Sequence, residues 1–141
     1  MSGTSTKGLD HSVQLAHEWI NELDEALGWG DKHRSYRLLS AVLQTLRDCL
    51  PVAGVAHLSA QLPLVLRGVY FEHWRPAAQH PHHWDLDRFF AAIDAFFAQD
   101  PIEDVADAVA EVFGVLENRV SEGEIEKVVG YLPAEIRALW P

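Results

Sequence analysis

The chain repeats itself at an offset of seventy residues, and no other feature constrains its fold as strongly. Residues 61–70 read QLPLVLRGVY and residues 131–140 read YLPAEIRALW. Each copy carries a Leu-Pro step, an arginine and a terminal aromatic in the same register. Without a gap, Trp19 falls on Phe89, Ile20 on Phe90, Leu23 on Ile93, Val42 on Val112, Leu46 on Leu116 and Leu58 on Val128. Only six of the 55 aligned pairs are identical, so the matched apolar pattern carries the argument.

That pattern has a helical period. Trp19, Ile20, Leu23 and Leu27 recur at helical spacing, as do Phe89, Phe90, Ile93, Phe96 and Phe97. Leu39, Val42, Leu43, Leu46 and Leu50 form a second stripe, answered by Val105, Val109, Val112, Val115 and Leu116. The breakers agree: GWGD at 28–31 predicts a helix stop followed by an Asp cap. Asp100-Pro101 reads as an N-cap with a first-turn proline, and Ser121-Glu122-Gly123-Glu124 as a capping box. No run alternates with period two for long enough to make a strand. The expected fold is all-α: two tandem pseudo-symmetric repeats of about four helices each, sharing one core. The expected boundaries are a flexible leader at 1–10, repeat one at 11–75, a link at 76–84 and repeat two at 85–141.

Proline lacks a backbone donor and pushes the residue before it out of the helical region. Pro63 and Pro133 therefore mark sharp corners between the third and fourth helix of each copy. Arg67 and Arg137 follow about one turn later, and Asp24 and Asp94 are the only acids identical between the copies. Two equivalent ion pairs are expected, Arg67–Asp24 and Arg137–Asp94; capping of carbonyls at a neighbouring helix end is the alternative. Residues 62–74 are apolar on nearly every side, which places them between the halves or on an oligomer surface.

The 141 residues suffice for a single domain with its own core. One cysteine, Cys49, excludes an intramolecular disulfide framework and suits a reducing compartment. No signal-peptide pattern opens the chain and no apolar run is long enough to span a bilayer, so a cytoplasmic protein is expected. The net charge of −10 is concentrated after residue 84, where four basic residues face thirteen acids. Such a balance disfavours binding to nucleic-acid phosphates.

The order Leu62, Pro63, Arg67, Gly68, Tyr70, Trp74, then the F-x-x-x-I opening of the second copy and the closing LP-x-x-x-R-x-L-W, resembles the bacterial family catalogued as domain of unknown function 2267. The likeness spans roughly residues 12–140. It implies an all-helical fold and carries over no activity, cofactor or catalytic residue. The histidine-rich link departs from the family's pattern.

Chemistry has one conspicuous address. His73, His80, His82 and His83 fall within eleven residues beside Trp74 and Trp84. Neutral imidazoles bind zinc or related transition metals, although histidines in a solvated loop need no metal and no cofactor is otherwise expected. Trp74, Arg75 and Trp84 form the candidate interaction surface, because Trp and Arg are favoured at interface hot spots. No nucleophile elbow, phosphate loop, dinucleotide glycine pattern or zinc-protease motif occurs. Cys49 lies in an apolar stripe and reads as core filler. The expectation is a non-enzymatic protein that binds a protein partner or a second copy of itself. A metal- or small-molecule-responsive module built on the link histidines is the alternative.

Overall fold

The apolar spacing of residues 16–27 becomes the inner face of a long first helix in the computed structural model, which describes residues 2–79 and 83–141. In chain order the α-helices are α1 (Ser2–Leu27), α2 (Lys32–Cys49), α3 (Val52–Ser59) and α4 (Leu64–Phe71). A 3-10 turn at Pro76–Ala78 leads to α5 (Leu86–Ala95), α6 (Val105–Arg119), α7 (Glu122–Tyr131) and α8 (Ala134–Arg137). No strand occurs among the described residues. The all-α fold is as expected.

Local signals explain several boundaries. Gly28 and Gly30 adopt φ of 67° and 62°, where a side chain would strain the backbone. Asp31 then caps α2, its carboxylate accepting from the Arg34 N–H at 3.1 Å. The expected leader, by contrast, is helical from Ser2, although residues 6–11 remain exposed. Extending a helix already nucleated by a packed segment costs little, so no separate core is needed there.

Two further boundaries differ from expectation. Asp104, not Asp100, caps α6, accepting from the Asp107 N–H at 3.0 Å. Asp100 is drawn away by arginines of α2. Ser121 holds the N-cap position of α7 but makes no side-chain cap bond. The capping-box partner, Glu124, is instead engaged by His57, Gln61 and Lys127.

One continuous core draws residues from all eight α-helices, with Leu23, Leu43, Leu66, Phe89, Phe113, Val128 and Ile136 fully buried. Helix α2 is its axis, buried without a break from Ala41 to Arg47. A run buried on every side must satisfy its polar members internally. Thr45 donates to the Ala41 carbonyl at 2.7 Å, and Gln44 donates to the Val69 carbonyl at 3.0 Å.

Helix α4 does not lie between the halves. It packs on α1 and α2 of its own half, burying Leu66 and Tyr70 and leaving Leu64 and Val65 exposed. The apolar count misleads here because Ser12 of α1 takes the Val65 N–H (3.2 Å) and holds only one side of α4 against α1.

Between the halves the contacts are reciprocal. Helix α1 packs on α6 and α2 on α5, while α3 meets α7. At that last seam Gly54 abuts the Tyr131 ring, and Gln61 donates to Glu124 at 3.3 Å. Shifted by seventy, the Gly54–Tyr131 pair becomes the Glu124–Gln61 pair with its partners exchanged.

Candidate functional site

The link that the sequence singles out is built by capping. Helix α4 ends with carbonyls that need donors, and α2 supplies them. Arg47 Nη1 donates to the Tyr70 and Glu72 carbonyls, both at 2.8 Å, and its Nε donates to Asp48 Oδ1 at 2.9 Å. Arg47 is only 5% exposed, so three acceptors fix a guanidinium that water scarcely reaches. In return Gln79 Nε2 donates to the Arg47 and Leu50 carbonyls at the end of α2 (2.5 and 2.6 Å), and its Oε1 accepts from Trp74 Nε1 at 3.1 Å. Trp74 is half-buried against Phe71, with ring centroids 5.3 Å apart. It anchors the link more than it offers a contact face.

His73 is the one described non-glycine residue with positive φ, at 63°. It stands just past the C-cap of α4, Glu72, where a left-handed turn terminates the helix and where glycine is usual. The turn reverses the chain so that His73, Arg75 and Gln79 come alongside the end of α2.

Across from them, Asp85 caps α5 by accepting the Arg88 N–H at 2.8 Å. The Arg88 guanidinium lies 4.3 Å from the centre of the Trp84 ring, and its Nη1 donates to the His83 carbonyl at 3.2 Å. Together these elements enclose a cavity of about 260 Å3 bordered by Arg47, Asp48, His73, Arg75, Gln79, Trp84 and Arg88. Three of the chain's eleven basic residues converge there against one lining carboxylate. Arg75 is exposed and has no side-chain partner among the described residues.

The sequence-derived candidates divide accordingly. His73, Arg75 and Trp84 come together at this cavity, with Trp74 behind it. His80 and His82 lie outside the described residues. His83 contributes its carbonyl to Arg88, and among the described residues no group of three His, Cys, Asp or Glu side chains is placed to hold a metal. Arg47, Asp48, Gln79 and Arg88 were not anticipated. The signal for Arg47 was present: it follows Leu43 and precedes Leu50 in a stripe otherwise apolar.

The proposed acid–arginine pairs take other partners. Arg67 donates from Nε to the Ser59 carbonyl (2.9 Å) and from Nη2 to the Leu62 carbonyl (3.0 Å). Arg137 Nη2 donates to the Leu132 carbonyl at 2.9 Å. Both arginines therefore cap the helix that precedes the Pro63 or Pro133 corner, the carbonyl alternative. Asp24 is buried and accepts from Ser35 Oγ (2.7 Å) and the Asp31 N–H (3.0 Å), while Asp94 is exposed. The acid serves the α1–α2 turn, whose open donors lie closer than any guanidinium.

Other surfaces are less organised for recognition. A cavity of about 800 Å3 runs along Trp29, Asp31, Arg34, Ile102 and Asp104, but its one cation is already held by Asp100. An apolar groove of about 380 Å3 borders Val13, Ile20, Tyr36 and Val65. Burial pushes the Cys49 thiol and the Tyr70 phenol up, keeping both protonated inside the core. No described helix is long and apolar enough to cross a membrane.

No curated protein matches this chain. A family model does, described as an uncharacterized conserved protein (DUF2267) and matching residues 16–139. Its span takes in α2 through α8, the C-terminal part of α1 from Ala16 onward and every residue of the arginine-lined cavity. The chain belongs to the DUF2267 family.

Proposed function

We propose that this chain is a non-enzymatic binding module, bacterial and cytoplasmic, that docks a protein partner through the face around Arg75, Trp84 and Arg88. The observation that carries this reading is the convergence of three arginines and an indole on one cavity in a chain of net charge −10. Concentrating scarce positive charge at one place, against the sign of the whole, favours a specific acidic partner over nonspecific attraction. Arginine and tryptophan also contribute more than other residues at protein interfaces.

The two halves, on this reading, descend from one duplicated unit, and the link between them became the binding face. The reciprocal contacts of α3 with α7 support the duplication. The test of function is affinity capture from the source cell's lysate with wild type and Arg75→Glu. Specific partners retained by wild type and lost by the variant are expected. Equal recovery by both proteins would place the docking face elsewhere. Trp74→Ala is the poorer probe, because it also releases Gln79 from the end of α2.

A further inference from the structure

We infer that the cavity bordered by Arg47, Arg75, Trp84 and Arg88 is an oxyanion site that takes a phosphate monoester carried by the partner. The inference rests on the docking face proposed above and names the chemistry that face recognises. Arg47 carries the first part of the argument. Its Nε and Nη1 are spent on Asp48 and on two carbonyls, whereas its Nη2 donates to no described residue. The group is already immobilised, so an incoming acceptor gains a charge-assisted hydrogen bond without ordering a long side chain. The second part is Arg88, whose guanidinium carbon lies 4.3 Å from the centre of the Trp84 ring and whose Nη1 is tethered to the His83 carbonyl, and so preorganised in the same sense. Arg75 is the third. It stands exposed at the rim without a partner among the described residues, and it supplies the arm that closes on a ligand.

Charge selects the ligand class. Asp48, the one carboxylate that borders the cavity, pairs with Arg47. Arg75 and Arg88 then leave two positive charges facing one cavity. A phosphate monoester carries about −1.5 to −2 at neutral pH and presents three acceptor oxygens. A single carboxylate would leave one of those cations unmatched. Guanidinium groups fit phosphate oxygens in paired geometry, which a lysine would not reproduce.

The full-length protein is titrated with inorganic phosphate, with a synthetic phosphoserine peptide and with the same peptide carrying glutamate instead. Tryptophan fluorescence and calorimetry are read at ionic strength fixed with chloride. Saturable binding of phosphate and of the phosphoserine peptide is expected, with the glutamate peptide at least about tenfold weaker. Arg75→Glu should weaken phosphate binding by at least about tenfold, while Lys32→Glu, an equal change of charge elsewhere, should leave it unaltered. Equal weakening by both substitutions would reduce the effect to net charge and overturn the site. Equal affinity for the two peptides would overturn the phosphate assignment. Partner capture lost in Arg75→Glu without any phosphate binding would keep the docking face and sink this inference. Phosphate binding that depends on Arg75 while capture is unchanged would uphold the site and sink the docking face.

Discussion

Arg34 and Asp100 lie 66 positions apart in the chain and 2.6 Å apart in space. Arg37 joins them, donating from Nη1 to the same Asp100 oxygen at 2.9 Å and from Nη2 to the Phe96 carbonyl. Both guanidiniums also lie near the Phe97 ring, at 5.3 and 4.6 Å from its centre. One carboxylate thus joins the first turns of α2 to the turn between α5 and α6.

That fork sets a pH dependence. The Arg37 hydrogen bond first, with Arg34 beside it, holds the Asp100 carboxyl below its ordinary value of 3.8. A carboxyl whose folded value is depressed stabilises the fold above its unfolded value and loses that contribution as pH falls through the folded one. Asp100→Asn should therefore lower the thermal midpoint by a constant amount from pH 8 to about pH 5, and the gap to wild type should close below about pH 4. Differential scanning calorimetry across that range checks it. A gap that persists unchanged at pH 2.5 would show that the carboxylate's charge is not what holds the turn.

The two corner arginines should differ in weight. Arg67 satisfies two carbonyls and Arg137 one. Each such bond has a charged donor and lies partly exposed, so about 1 kcal/mol per bond is a fair scale. Arg67→Ala should cost about 2 kcal/mol in urea unfolding and Arg137→Ala about 1 kcal/mol. Arg67→Lys should recover less than half of the loss, because an ammonium cannot reach two carbonyls with a planar fork. Equal losses at the two corners would refute the carbonyl account.

What the sequence discloses about this fold is what is local. Gly28, Gly30 and Asp31 could be read as stop and cap because their partners lie within a few residues, and the apolar stripes of α1, α2, α5 and α6 needed only a period. The Asp100-Pro101 pair reads as a helix start until two arginines from the other half compete for the carboxylate. Asp24 suggests a partner for Arg67 until Ser35 is seen to take it. The cavity was legible on one side only. His73, Arg75 and Trp84 are neighbours in the chain, whereas Arg47 and Arg88 reach them only through the packing of α2 against α5. Arg47 interrupts an apolar stripe visibly enough, but its purpose lies in the carbonyl ends it meets, which are 23 and 25 positions away.

His73 offers a direct measure of the strain in that link. A side chain at φ 63° crowds its own backbone, and left-handed geometry costs about 1–2 kcal/mol outside glycine. Part of that is returned by the smaller freedom of a non-glycine residue in the unfolded chain. His73→Gly should accordingly stabilise the protein by about 0.5–1 kcal/mol in chemical denaturation. Destabilisation instead would mean that the imidazole makes a contact worth more than the strain it imposes.

Tyr70 and Trp140 close the two copies of the repeated phrase, and their polar atoms differ in a way that stability can read. Tyr70 is fully buried and donates its hydroxyl to the Val55 carbonyl at 2.9 Å, linking α4 to α3. Trp140 stacks on Phe113 with centroids 4.2 Å apart, but its buried Nε1 finds no acceptor among the described residues. Removing a satisfied donor leaves a buried carbonyl poorer by one bond, whereas removing an unsatisfied one relieves a desolvation cost. Tyr70→Phe should lose about 1–2 kcal/mol. Trp140→Phe gives up some ring contact but sheds the unpaired N–H, so its net change should stay within about 1 kcal/mol. Urea denaturation of both variants decides the matter. If Trp140→Phe proves the more damaging, the indole N–H is bonded in solution and the second corner is held as tightly as the first.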